Sequence, residues 1–135
     1  MSNNTYSESY QEYLEEIYRL SQEVEEGELI SNSSIADRLK IKPPSVTEML
    51  NKLEKNGLIV WKKRKGVQLT DKGKEVGKTI LETHHLLEEF FSKVLELDDL
   101  DLKHRVACDL EHHLIAEPKL MEAIKRSIKK VEKSS

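Results

Sequence analysis

Four residues late in the chain have the types and spacing to hold a metal ion. His104, Cys108, Glu111 and His112 are separated by steps of three or four, and in a helix such steps stack side chains on one face. Imidazole, thiolate and carboxylate are the donors a transition metal takes from a protein. Two other pairs repeat the spacing, His84 with Glu88 and Glu12 with Glu15. Three helices would then each offer a ligand face. A lone buried cysteine is more often a small hydrophobe, and a His–Glu pair at i,i+4 is often an ordinary surface contact. The concurrence of Cys108 with Glu111 and His112 is what favours metal. His85 and His113 are turned about 100° from their neighbours and are expected to be structural or exposed. Glu16 and Glu89 are expected to be solvated charges.

These faces need helices to carry them. Residues 8–24 show an apolar stripe at Tyr10, Tyr13, Leu14, Ile17, Tyr18 and Leu20, the 3-4 pattern of a helix. Ser34-Ile35-Ala36-Asp37 reads as a capping box opening a short helix to about Lys40. Pro43-Pro44 suits the first turn of another helix, with Val46, Met49, Leu50 and Leu53 facing inward and Gly57 closing it. Leu58–Trp61 and Val67–Leu69 read as strands around the basic turn Lys62-Lys63-Arg64-Lys65-Gly66. Thr70 is a plausible N-cap for a long helix over residues 70–96, broken by Asp98-Asp99-Leu100-Asp101. The ligand helix is expected over 99–115 and a last helix over 117–131, with Glu132–Ser135 frayed.

The 135 residues allow one ordinary domain or two small ones sharing a core. Hydrophobic residues make up 37% and charged ones 35%, a helix-rich, non-disordered profile. No apolar run approaches the roughly 18–20 residues that span a bilayer. Met1-Ser2-Asn3-Asn4-Thr5 lacks the features of a secretory signal, and one cysteine cannot form an internal disulfide. A cytoplasmic setting is expected.

The net charge of −3 hides a strong asymmetry. Residues 1–37 carry net −8, residues 38–78 net +8 and residues 79–135 net −3, so the central block has the footprint of a phosphate binder. Two short helices followed by a basic hairpin form a winged helix-turn-helix, whose second helix enters the major groove by its N-terminal residues. Here those are Pro44, Ser45, Thr47 and Glu48, with Lys42 just before them. Lys52 and the wing residues Lys62, Lys63, Arg64 and Lys65 suit phosphate contacts that position without specifying sequence. The bland alternative is a helical hairpin with a charged turn.

With these elements in place, the chain resembles the diphtheria toxin repressor and manganese transport regulator family of metal-activated repressors, from Tyr10 to Val131. Ala107-Cys108-Asp109-Leu110-Glu111-His112 matches the family's Cys-x-x-Glu-His ligand run. Ser34-Ile35-Ala36-Asp37-Arg38-Leu39 and Pro44-Ser45-Val46-Thr47 resemble its helix-turn-helix. The resemblance implies one metal site from Glu12, Cys108, Glu111 and His112, and a second from His84, Glu88 and His104. Glu15 falls where the manganese branch has a bridging carboxylate and could join either. Glu12 replaces the methionine or aspartate usual at its position, and Cys108 is iron-branch chemistry where the manganese branch has glutamate. The resemblance is to the short form, without the SH3-like third domain of longer members.

The expectation is therefore a mainly α protein, with a winged helix-turn-helix domain at 1–70 and a helical dimerisation and metal-binding domain at 71–135. It would bind double-stranded operator DNA as a homodimer when loaded with a divalent transition metal, Fe(II) or Mn(II). Fe(II) has the edge because Cys108 and the His84, Glu88 and His104 set resemble the iron branch. Zn(II), Co(II) or Ni(II) would substitute in vitro, since raw affinity follows the Irving–Williams order. Metal joining Glu12 to the fifth-helix ligands would favour the DNA-competent arrangement by linkage. Two rivals differ in class. A winged-helix sensor of an organic ligand would leave the polar clusters without metal. A helical di-metal enzyme would exploit the Glu-x-x-His spacing of Glu82 and His85, but a second such motif is absent and its basic wing would be idle.

Overall fold

The computed structural model describes residues 7–134. Among these, six helices and one two-stranded sheet divide into two compact units, the first closing at Lys78 and the second opening at Thr79. The fold is mainly α, with a winged helix-turn-helix in the first unit.

In the first unit, α1 spans Glu8–Glu23, capped by the Ser7 hydroxyl, which accepts from the Tyr10 amide. Its apolar stripe buries Leu14, Ile17 and Leu20. Helix α2 spans Asn32–Leu39, and its cap is Ser31, not Ser34. The Ser31 hydroxyl accepts from the Ser34 amide at 3.1 Å, so Ser34 sits in the first turn as the group being capped. Helix α3 spans Pro43–Lys55 with no side-chain cap. Two prolines in its first turn lack the N–H groups a cap would satisfy. Val46, Leu50 and Leu53 are fully buried, while Met49 is only half-buried.

The wing pairs β1, Ile59–Lys62, with β2, Gly66–Leu69, antiparallel, Ile59 opposite Leu69 and Lys62 opposite Gly66. It is anchored from both sides. Ile30 bridges to Val67 through two 2.8 Å backbone bonds, and the outward Trp61 amide donates to the Glu54 carboxylate of α3 at 3.0 Å. A Cβ on Gly66 would sit 2.6 Å from the Ile30 carbonyl oxygen, so only glycine permits this approach.

Helix α4 spans Asp71–Lys93 and runs through the unit boundary. Thr70 caps it as expected, its hydroxyl accepting from the Gly73 amide at 3.0 Å. The first two turns of α4 pack within the first unit. A Cβ on Gly73 would lie 2.0 Å from the Leu58 carbonyl oxygen, and one on Gly77 would lie 2.7 Å from Tyr18 Cβ on α1.

In the second unit the remainder of α4 packs with α5, Leu100–Ala116, and α6, Pro118–Ser134. Leu87, Phe91, Ala107, Leu114, Ile124 and Ile128 form its core. Helix α4 stops at Lys93 rather than 96, and Glu96 adopts a left-handed φ of 54° in the connection. Asp99 caps α5, accepting from the Leu102 amide. Helix α6 does not fray at 132. It continues to Ser134, and Lys93 of α4 pairs with Glu132 at 2.6 Å.

Candidate metal centre and nucleic-acid interface

The ligand candidates of the second unit converge on His84. This side chain is 1% exposed, and a carboxylate stands at each ring nitrogen. Nδ1 lies 2.7 Å from Glu111 Oε1, and Nε2 lies 3.2 Å from Glu88 Oε2. Glu88 also reaches His104 Nδ1 at 3.5 Å. Cys108 Sγ lies 3.6 Å from His104 Nε2 and 3.9 Å from His84 Nδ1. His112 is buried beside Glu111, with Nε2 at 3.8 Å from its Oε2. Local helix geometry explains half of this: His84 and Glu88 share a face of α4, and His104, Cys108 and Glu111 share a face of α5.

One donor atom from each of His84, His104 and Cys108 lies within 4.8 Å of the others. Metal–nitrogen and metal–sulfur bonds of about 2.0–2.3 Å put neighbouring ligands of a four-coordinate ion roughly 3.5 Å apart. The two distances from Cys108 Sγ, 3.6 and 3.9 Å, are close to that spacing, so these residues fit a divalent transition metal.

His84 makes contacts with members of both sets implied by the resemblance. His84 holds Glu111 from one expected set and Glu88 from the other, while Cys108 sits with His84 and His104. Helices α4 and α5 carry the members of both sets that lie in the second unit, and their packing brings these together. His85 and His113 are exposed, as their angular offset requires, and Glu82 is exposed too, so the Glu82 and His85 pair does not point into this cluster.

On α1, Glu12 is exposed and Glu15 buried. Glu15 Oε2 accepts from Arg19 Nη2 at 2.7 Å. Burial pushes the Tyr13 phenol above its ordinary pKa, and the charges of Glu12 and Glu48 add to the shift.

The DNA-reading candidates lie in the first unit. Lys42, Pro44, Ser45 and Glu48 are exposed at the start of α3, as are Lys52 and the wing residues Lys62, Lys63, Arg64 and Lys65. Thr47 is half-buried and accepts from Asn32 Nδ2 of α2 at 3.1 Å. Its hydroxyl therefore ties α3 to α2. Sequence reasoning missed Asn32, which carries no local signal for this bond. It also passed over Arg19, although the i,i+4 spacing from Glu15 was visible.

Comparison with known proteins matches both halves of the chain. Residues 5–67 match the iron dependent repressor N-terminal DNA binding domain. Residues 70–135 match the iron dependent repressor metal binding and dimerisation domain. The HTH-type transcriptional regulator MntR of Listeria welshimeri is 41% identical over 106 residues, covering 78% of this chain and 71% of that protein. A solved manganese-dependent transcriptional repressor in complex with manganese is similar with a TM-score of 0.74 and 28% identity, over 89% of this chain and 52% of that one. The manganese regulator SloR is similar with a TM-score of 0.66 and 30% identity, over 91% of this chain and 53% of its own. The chain thus spans about half the length of these solved regulators. With both halves matched, the chain belongs to the iron-dependent repressor family of metal-dependent transcriptional regulators.

Proposed function

We propose that this protein is a cytoplasmic transcriptional repressor, not an enzyme, that binds operator DNA as a homodimer when loaded with Fe(II) or Mn(II) and so controls metal-ion homeostasis. The observation that carries the reading is the convergence of His84, His104 and Cys108 donor atoms within 4.8 Å in a chain that also bears a winged helix-turn-helix.

His84, His104 and Cys108 would hold the ion, with Glu88, Glu111 and His112 adjacent as further donors or as partners that orient the imidazoles. Glu12 and Glu15 join the set on the sequence resemblance. When bound, the metal supplies a divalent charge that several anionic and imidazole donors share. The protein's part is to offer those donors best in the DNA-competent arrangement, since a ligand shifts an equilibrium only by its differential affinity for the two states. The thiolate of Cys108 favours softer, later metals, while the carboxylates favour harder ones such as Mn(II). The mixed set accepts both Fe(II) and Mn(II), and Cys108 tips the balance toward Fe(II).

On the DNA side, Pro44, Ser45, Thr47 and Glu48 face base edges, and Lys42, Lys52, Lys62, Lys63, Arg64 and Lys65 neutralise phosphates. Dimer symmetry implies a pseudo-palindromic operator. The test is DNA binding against a buffered series of divalent metals, with chelator as control. DNA affinity indifferent to every metal would overturn the reading.

A further inference from the structure

Arg19 stands one turn beyond Glu15 on α1, and two of its nitrogens converge on a single carboxylate oxygen. Nη2 lies 2.7 Å and Nε 3.3 Å from Glu15 Oε2. The side chains are 26% and 7% exposed, the carboxylate being the more buried. A desolvated carboxylate is costly without a partner, and Arg19 is a cation supplied by the same helix. A second acceptor stands ready, since Glu16 Oε2 lies 3.7 Å from Arg19 Nε. Glu16 is itself held by Arg38 at 3.4 Å, and Arg38 also pairs with Glu23.

We propose that Arg19 is a resident counter-cation for Glu15 that an incoming metal dication must displace or outcompete, so that it sets the metal concentration at which the protein responds. The inference rests on the reading of Glu15 as a carboxylate of the metal-responsive set. A guanidinium and a dication on one carboxylate repel each other, so Arg19 weakens metal binding whether it swings away or stays. Glu16 limits the penalty, because a small movement of the guanidinium exchanges one carboxylate for the next. Arg38 already draws on Glu16, so the exchange is incomplete. The result is a raised threshold rather than a block. The contact lies at the protein edge and is partly screened, so its removal should be worth about five- to tenfold in metal affinity.

The experiment is calorimetric titration of Mn(II) into the metal-free parent, Arg19→Lys, Arg19→Gln, Glu15→Gln and the Glu15→Gln/Arg19→Gln double variant, with thermal midpoints in chelator alongside. Arg19→Gln should bind Mn(II) about five- to tenfold tighter, and Arg19→Lys should stay near the parent because it keeps the charge. The chelated midpoint of Arg19→Gln should fall, since buried Glu15 loses this charged contact. Glu15→Gln should weaken Mn(II) binding, and adding Arg19→Gln to it should recover little. If Glu15→Gln weakens Mn(II) binding but Arg19→Gln does not tighten it, the role of Arg19 is overturned and the ligand reading stands. Equal tightening by Arg19→Lys and Arg19→Gln overturns it too, as packing would then be the cause. Unchanged Mn(II) affinity in Glu15→Gln removes Glu15 from the metal set and the guard with it.

Discussion

Replacing Glu111 tests whether the metal-free protein already builds the scaffold of its site. Glu111 and His84 are each 1% exposed and meet at 2.7 Å, so their bond is dry, and an ionised Glu111 makes it charge-assisted. Glu111→Gln keeps the shape and an acceptor for the imidazole but removes the charge. The difference between a charged and a neutral hydrogen bond is about 1–2 kcal/mol. Glu111→Ala instead leaves a buried imidazole nitrogen without that partner, at a cost of about 3–5 kcal/mol. For a chain of this size each kcal/mol moves the thermal midpoint by about 3–5 °C. In chelator, Glu111→Gln should therefore lower the midpoint by about 3–10 °C and Glu111→Ala by at least about 10 °C. Glu88 is the internal control. It meets the other nitrogen of the same ring at 3.2 Å, but its side chain is 32% exposed. Glu88→Gln should shift the midpoint by no more than about 2 °C, because water can replace the carboxylate there. The assay is thermal denaturation followed by circular dichroism, with chelator present throughout so that metal plays no part. Equal shifts for Glu111→Gln and Glu88→Gln would refute the argument, as would a Glu111→Ala protein that melts with the parent.

Three further outcomes follow from other parts of the molecule. Gly73→Ala forces a Cβ to within 2.0 Å of the Leu58 carbonyl oxygen and should cost about 3 kcal/mol, read as a lower denaturation midpoint; an unchanged midpoint would mean α4 does not press on this strand. Lys63→Ala should weaken binding to all DNA sequences alike and reduce the slope of log affinity against log salt by about 0.9, and an unaltered slope takes Lys63 out of the interface. Cys108→Glu removes the soft donor beside His84 and His104 and should move the relative response from Fe(II) toward Mn(II) in anaerobic DNA binding at buffered free metal, with an unchanged ratio counting against the thiolate as selector.

What could be read from the residues was set by distance along the chain. The stripe of α1, the prolines opening α3, the Thr70 cap and the shared face of His104, Cys108 and Glu111 are all local patterns, and the helices follow them. The extension of α6 to Ser134 was hidden because part of its support, the Lys93–Glu132 pair, joins residues on different helices. The contact between His84 and Glu111 was hidden for the same reason. The resemblance assigned these two residues to separate metal sets, and only helix packing places them side by side. Gly73 and Gly77 gave no periodic signal, because what matters there is an absent side chain. The Ser31 cap was visible in principle, but the serines at 31, 33 and 34 compete for the role, and Asp37 three residues on makes Ser34 the stronger local pattern.

The wing divides into a position closed to change and a tip open to it. Gly66 has its α-carbon against the Ile30 carbonyl and a φ of 132°, so each of the other residue types would cost the hairpin its anchor. Lys63, Arg64 and Lys65 are exposed, and Arg64 already occupies a left-handed conformation, φ 68°, which asparagine or glycine would adopt more readily. Natural selection therefore meets two separate problems within five residues. The close approach to the Ile30 carbonyl is a yes-or-no condition, met by one residue. The grip on phosphate is a graded quantity, adjustable one charge at a time with little effect on folding. A lineage moving to a cell of different salt content could retune how much DNA it occupies at the tip alone, leaving its metal response untouched.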